Sequence, residues 1–298
     1  MASIQSKLID YWFRRQNFFS RGGFDPQAMR LRADKVRIFS YPRKNVRVVP
    51  VMAGGVPSEW LIPKGAPQDR AVLYIHGGAW YMGSANTHRS FVSRLAYAAG
   101  LRTLLINYRL APEHPFPEGL DDCIAAYGWL IQSGITAKKI IVAGDSAGGN
   151  LTLALLVALR DAGKPLPAGG VALSPATDLA FTGQSVQTRL ELDPIFSKSA
   201  PNSIVNDYIT SHDPHEPLIS PLYADLHGLP PLLIHVGDHE ILLDDSVRFG
   251  QRAIQAGVEA ITTVWPEMFH MFQLFTPILP EARRAVGQIA SFMHTRLD

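Results

Sequence analysis

The sequence predicts an α/β architecture, a mostly parallel sheet of about eight strands with helices on both faces. Three observations lead there. Short apolar runs recur along the chain, too short for helices and suited to strands buried on both faces. Segments with helix caps and glycine stops lie between them. Several of the runs end on glycine-rich turns just where the next helix begins.

The elements follow in order. Ile4, Leu8, Ile9, Tyr11, Trp12 and Phe13 have helical spacing, and Phe18, Phe19 and Phe24 follow. So apolar a start reads as a helix packed on the body or as part of a lid, and less well as a membrane-surface helix, because its charges are few. Arg47 to Met52 and Ser58 to Ile62 are strand-like, joined by the hairpin signal Ala53-Gly54-Gly55. Further strands are expected at Ala71 to Ile75, Thr103 to Ile106, Ile140 to Ala143, Val171 to Leu173, Leu232 to Val236 and Ile261 to Trp265. One helix starts with Asn86 or Thr87 as its cap and stops at Gly100; another runs from Pro117 to near Gly134. Ala147 to Ala162, Asp244 to Ala256, and Pro280 to about Arg296 complete the set, with glycine after two of the three ends. Strands alternating with helices imply right-handed crossovers and a parallel sheet. Asp178 to Ser220 breaks the alternation with four prolines, at 194, 201, 214 and 217, and has room for one or two helices of its own.

Composition excludes several classes. The 298 residues are 47% hydrophobic and 18% charged, an ordinary globular balance that rules out disorder. The net charge of +2 supplies no field for nucleic acid or anionic lipid. No apolar run is long enough to span a bilayer, so no stable membrane insertion is expected. Lys7, Asp10, Arg14 and Arg15 break up any signal sequence, and the single cysteine, Cys123, suits a reducing compartment, so the cytoplasm is the expected location.

Gly144-Asp145-Ser146-Ala147-Gly148 is the sharpest signal. It matches G-x-S-x-G between a strand and an apolar helix, the context in which a strained turn lifts a serine Oγ off the sheet. The helix start beyond it aims free N–H groups at developing negative charge. His76-Gly77-Gly78-Ala79-Trp80 follows another strand, and its glycines let backbone N–H groups approach a substrate oxygen.

Together with Tyr108-Arg109-Leu110-Ala111-Pro112-Glu113 and the extension Gly149-Asn150, these motifs resemble the bacterial hormone-sensitive-lipase-like esterases, which are α/β-hydrolases. The resemblance runs from His76 to His270. It implies an α/β-hydrolase fold with a helical cap, an oxyanion hole of the Gly77, Gly78 and Ala147 N–H groups, and structural roles for His76 and for residues 108–113. The family usually has a third glycine where Ala79 stands. Trp80, Tyr81 and Asp145, beside the two motifs, are the candidate substrate-binding residues.

A serine nucleophile needs a base. Of ten histidines only His270 follows the last strand and precedes the last helix, which satisfies the order Ser, acid, His. The acid lies in the loop after Leu232 to Val236, where Asp238, Glu240 and Asp244 are candidates. The family's Asp-x-Leu-x-Asp, matched on Leu242 and Asp244, puts Glu240 at the catalytic place, with Asp238 as the alternative. Asp244 suits a helix start, where a carboxylate caps N–H groups.

Rival chemistries are weaker. His212-x-x-His215 and His235-x-x-x-His239 have metal-ligand spacing but no acidic cluster, so neither a metal nor a cofactor is expected. Cys123 lies in a helical pattern beside Asp121 and Asp122, which disfavour a thiolate. The expected reading is a serine carboxylesterase acting on small-molecule esters through an acyl-enzyme. A lactone hydrolase with the same triad, or an inactive ligand-binding scaffold, would share the motifs. The expected organisation is residues 1–45 as the first part of a cap, 46–178 as core, 179–219 as the second part of the cap and 220–298 as core. A roofed pocket favours acyl chains of roughly four to six carbons, because a buried CH₂ gains about 0.8 kcal/mol only until the space is full. The resemblance also implies a homodimer through the last strand and helix; Ile289, Phe292 and Met293 beside Ile261 to Val264 suit either that pairing or plain core.

Overall fold

A computed structural model describes residues 2–16, 26–35, 37–196 and 202–297. Phe18, Phe19 and Phe24 lie outside them. Among the described residues the chain opens with helices α1 (Ile4–Gln16), α2 (Pro26–Asp34) and α3 (Arg37–Ser40). Then come β1 (Val46–Ala53), β2 (Val56–Pro63), β3 (Ala71–Ile75), α4 (Ala85–Ala99), β4 (Arg102–Ile106), α5 (Glu118–Gln132), β5 (Ile140–Asp145), α6 (Ala147–Asp161) and β6 (Gly169–Leu173). Short helices α7 (Ser185–Thr188) and α8 (Asn202–Ile209) precede β7 (Leu232–Gly237), α9 (Leu243–Gln255), β8 (Ala260–Trp265) and α10 (Pro280–Leu297).

The eight strands form one sheet in the order β1-β2-β4-β3-β5-β6-β7-β8. β1 with β2 and β2 with β4 are antiparallel, and every later pair is parallel. The central strands are apolar throughout because they are covered twice. On β3, Leu73 and Ile75 pack with Leu151 and Leu155 of α6, whereas Val72 and Tyr74 pack with Phe91 of α4 and Ile289 of α10. Successive side chains of a strand point to opposite faces, so one apolar run serves both layers. Ile289, Phe292 and Met293 are therefore core, at 0%, 7% and 0% exposure, the plain-core alternative of the two that the sequence leaves open.

The expected elements form, with shifted ends. The helix after β3 starts earlier, with Ser84 as the N-cap residue in place of Asn86 or Thr87: Thr87 Oγ1 accepts the Ser84 N–H. Asp244 stands at the start of α9, but its carboxylate accepts the N–H of Ser185, tying α7 to α9 instead of capping its own helix.

The outer elements converge above the carboxyl ends of the strands. Arg14 of α1 donates to the carbonyls of Glu191 and Leu192, and the Phe13 ring lies 5.8 Å from Phe269 and 5.7 Å from Phe275. Ala2 N–H donates to Glu267, and Ser3 to Glu281. Only one face of α1 docks this way. Ile9 is buried, but Leu8, Tyr11 and Trp12 remain exposed.

Candidate active site

β5 ends at Asp145 and α6 begins at Ala147, leaving Ser146 as the whole turn. Its φ of 53° and ψ of −120° are strained for a residue with a side chain. The flanking glycines make that turn possible. A Cβ on Gly148 would stand 2.1 Å from the Ile75 carbonyl oxygen, and one on Gly144 would stand 2.3 Å from the Gly148 oxygen. Ser146 N–H donates to Leu173 at the end of β6, so the sheet ladder itself holds the turn.

His270 comes from the loop after β8 and Glu240 from the loop after β7. His270 Nε2 is 2.9 Å from Ser146 Oγ, and Nδ1 is 2.7 Å from Glu240 Oε2. Glu240 Oε1 accepts the Ser174 hydroxyl at 2.8 Å and the Gly237 N–H at 2.5 Å. His270 and Glu240 are wholly buried, and Ser146 is nearly so. Burial alone would lower the His270 pKa, but the hydrogen bond and charge of Glu240, with Asp193 and Asp145 behind, hold it above its ordinary value. The arrangement suits a base that takes a proton from Ser146 and keeps the resulting imidazolium paired. Asp238 is elsewhere: its Oδ1 accepts the Glu267 N–H, fastening the turn after β8.

The loop after β3 lies against the serine. Gly77 and Gly78 line the same cavity as Ser146 and His270, and Ala147, at the first turn of α6, has an N–H with no partner inside the helix. The loop is tightly supported. Gly78 O accepts from Tyr81 and Met82, Tyr108 OH donates to His76 O, and the His76 and Tyr108 rings stack at 4.4 Å. Residues 108–113 do brace this loop, and Arg30 of α2 joins Tyr81 O, Ala111 O and Glu113 from outside. Ala79 stands at φ 55°, a left-handed conformation that glycine would enter without cost.

Gly78 has φ 126°, and a Cβ there would fall 2.1 Å from the Met82 carbonyl oxygen. Gly78→Val is expected to lower kcat by roughly 10²–10³, the loss that follows removal of one oxyanion donor. This clash with backbone also predicts a lower Tm, where the sequence alone predicts little change in stability. Steady-state kinetics and a melting curve on one preparation measure both.

The substrate-binding candidates divide. Trp80 lines a small cavity beside Ser146 and stacks on Tyr208 at 4.5 Å. Asp145 is buried beneath the site. It accepts from Tyr74 OH at 2.7 Å and faces His88 at 3.3 Å, so its carboxylate is occupied in the core and touches neither cavity. Tyr81 is likewise buried away from the cavities. Neither Asp145 nor Tyr81 borders the two cavities at Ser146, whereas Trp80 borders the smaller one.

The rival groups sit apart. His212 and His215 face Glu216 and Asp213 separately, and among the described residues no three His, Cys, Asp or Glu side chains gather as a metal site would need. Cys123 is buried; burial first, then Asp122 and Asp121, push its pKa well above the ordinary thiol value. Asp193 was not legible as a site residue, although its turn chemistry is: its Oδ1 accepts the N–H groups of Ile195 and Phe196, and Asp before such a turn is the usual choice.

Two spaces meet at Ser146. One of about 160 Å³ is bordered by Gly77, Gly78, His270, Met271, Leu274, Phe275 and Phe13. The other, of about 30 Å³, is bordered by Trp80, Ala147, Leu179, Phe181, Val205 and Leu242. Ala79, Ser146 and Phe196 border both. Among the described residues no helix is long and apolar enough to cross a membrane.

A family profile described as the alpha/beta hydrolase fold matches residues 72–274. An acetyl-hydrolase of Streptomyces hygroscopicus is 44% identical over 246 residues, 82% of each chain. An esterase of Acinetobacter venetianus is 38% identical over 274 residues, 92% of this chain and 90% of its own. A crystal structure of an esterase from the bacterial hormone-sensitive lipase family superposes with a TM-score of 0.95 at 41% identity, covering all of both chains. A structure of the esterase EstE5 soaked with p-nitrophenyl butyrate gives 0.94 at 38% identity over 99% of each chain. The strained serine, its histidine and carboxylate, and the glycine loop thus sit in a chain that belongs to the alpha/beta hydrolase fold family, among the bacterial hormone-sensitive-lipase-like esterases.

Proposed function

We propose that the protein is a serine carboxylesterase whose nucleophile, base and acid are Ser146, His270 and Glu240. The observation that carries this is the unbroken line of hydrogen bonds from Ser146 Oγ through both His270 ring nitrogens to Glu240. Ser146 Oγ bonds to the ester carbon as its proton passes to His270 Nε2, and the carbonyl π pair moves onto oxygen. The N–H groups of Gly77, Gly78 and Ala147 hold that oxyanion. Collapse breaks the bond to the alcohol oxygen, which leaves with the proton from His270. Water then gives a proton to His270 and attacks the acyl carbon, and Ser146 recovers its proton as the acid departs.

The two cavities support a reading of where the two halves of the ester lie. His270 must reach the alcohol oxygen, and His270 borders only the larger space, so the alcohol lies there. The acyl chain takes the smaller one. That space is only about 30 Å³ and is closed by Leu179, Phe181, Val205 and Leu242, which favours a short acyl chain. Esters of one alcohol with acyl chains of two to eight carbons test the reading. Their kcat/KM is expected to peak at or below about four carbons, shorter than the four to six that sequence suggests, because each further CH₂ gains its ~0.8 kcal/mol only if it fits. Rates that climb to eight carbons count against the assignment, and absence of turnover on every ester counts against the esterase. The proposal extends to a cytoplasmic location and to a homodimer along the open edge of β8, where Ile261 and Val264 are exposed.

A further inference from the structure

Asp193 is wholly buried, and its carboxylate holds two different walls of the site. Oδ1 accepts the N–H groups of Ile195 at 2.9 Å and Phe196 at 3.1 Å, while Oδ2 accepts the N–H of Ile241 at 3.0 Å. Ile241 is the residue after Glu240. The Phe196 ring stands edge to face with the His270 ring, centroids 5.0 Å apart. One carboxylate thus fastens both neighbours of the imidazole: the loop that presents Glu240 and the ring that packs on His270. Arg14 steadies the same segment from outside through Glu191 O and Leu192 O.

We infer that Asp193 is a positioning residue for the esterase reaction, locking the Glu240 loop and Phe196 around His270 and adding a second buried negative charge behind the imidazolium. The inference rests on the triad proposed above. The charges that face His270 are Glu240 from the loop after β7, Asp193 from the segment before Ile195, and Asp145 from the end of β5. Asp193 in turn faces His270 and Glu240. Burial pushes the Asp193 carboxyl up, and the His270 charge and the Ile241 and Ile195 N–H groups act against that rise. A base must be neutral to accept the serine proton. A negative charge nearby raises the pH at which His270 becomes neutral, so removing it shifts the acid limb of kcat/KM to lower pH.

Asp193→Asn keeps the shape and removes the charge. Its kcat is expected to fall about 10- to 100-fold, the scale of a small misplacement at the chemistry, and its acid limb to move down by about half a pH unit or more. Phe196→Leu keeps the charge, so its limb should stay while its acyl-length profile broadens. If Asp193→Asn does not fold, Asp193→Glu is read by the same assays: an unmoved limb with lowered kcat supports the inference, and unchanged kcat overturns it. A folded Asp193→Asn with unchanged kcat and an unmoved limb also overturns it. Reaction of each variant with a serine-directed organophosphate separates the two levels. An intact Ser146 that no longer labels even in the parent protein would sink the triad instead.

Discussion

Ser146→Ala is expected to lower kcat for any ester by roughly 10⁶, the loss seen when a serine nucleophile is removed from a working triad. The fold should survive. The hydroxyl contributes one hydrogen bond, to His270, whereas the turn is held by the Leu173 carbonyl and by glycines that the substitution leaves alone. Alanine also avoids any increase in volume at a site with little room. Mass spectrometry after organophosphate treatment should show one adduct on the parent protein, at Ser146, and none on the variant. Activity retained in Ser146→Ala would end the esterase reading.

The second large effect belongs to the acid. Glu240 Oε1 accepts two donors, Ser174 Oγ and Gly237 N–H, and Oε2 accepts the His270 Nδ1 proton. In Glu240→Gln the amide oxygen must face those two donors, which turns the NH₂ group toward Nδ1. His270 can meet an NH₂ group there only as an acceptor, so its proton moves to Nε2 and the nitrogen facing Ser146 can no longer take a proton. A loss of roughly 10⁴ in kcat is expected, as when the analogous acid of a serine protease becomes an amide. Asp238→Asn should cost less than about tenfold, because its hydrogen bond to Glu267 N–H orders a turn and touches no member of the triad. The opposite ranking in steady-state kinetics would reassign the acid.

Much of this was legible because the signals were local. Ile140 to Ala143 is apolar throughout and is followed by small residues and a helix, so the strand and the strained turn at Ser146 could be read from one stretch. β3 and the Gly77-Gly78 loop are equally contiguous. His270 was legible by elimination, through its place between the last strand and the last helix. What escaped was set by contacts across the chain. Asp193 sits in a proline-interrupted segment without periodicity, and its partner Ile241 is 48 residues away. Asp145 adjoins Ser146 in sequence, yet the alternation of strand side chains sends it into the core toward Tyr74 and His88. The apolar α1 reads as a helix packed on the body or as part of a lid, and its helical geometry brings the Ile9 and Phe13 side to the body while Leu8, Tyr11 and Trp12 stay exposed, a division set by contacts across the chain.

The anchoring of α1 also ties the site to a long-range closure of the chain. Ala2 and Ser3 bond to residues 265 and 278 positions further along the chain. Positions 2 and 3 therefore dock on positions 267 and 281, and closing so long a stretch of chain carries a loop entropy that grows slowly with its length. The sheet, the serine turn and the glycine loop can all form before that closure. With Leu8, Tyr11 and Trp12 exposed on one face, α1 is suited to release in sub-global opening. Such an opening would bare the Phe13 side of the larger cavity while the bonds that join Ser146, His270 and Glu240 remain, widening access without parting them.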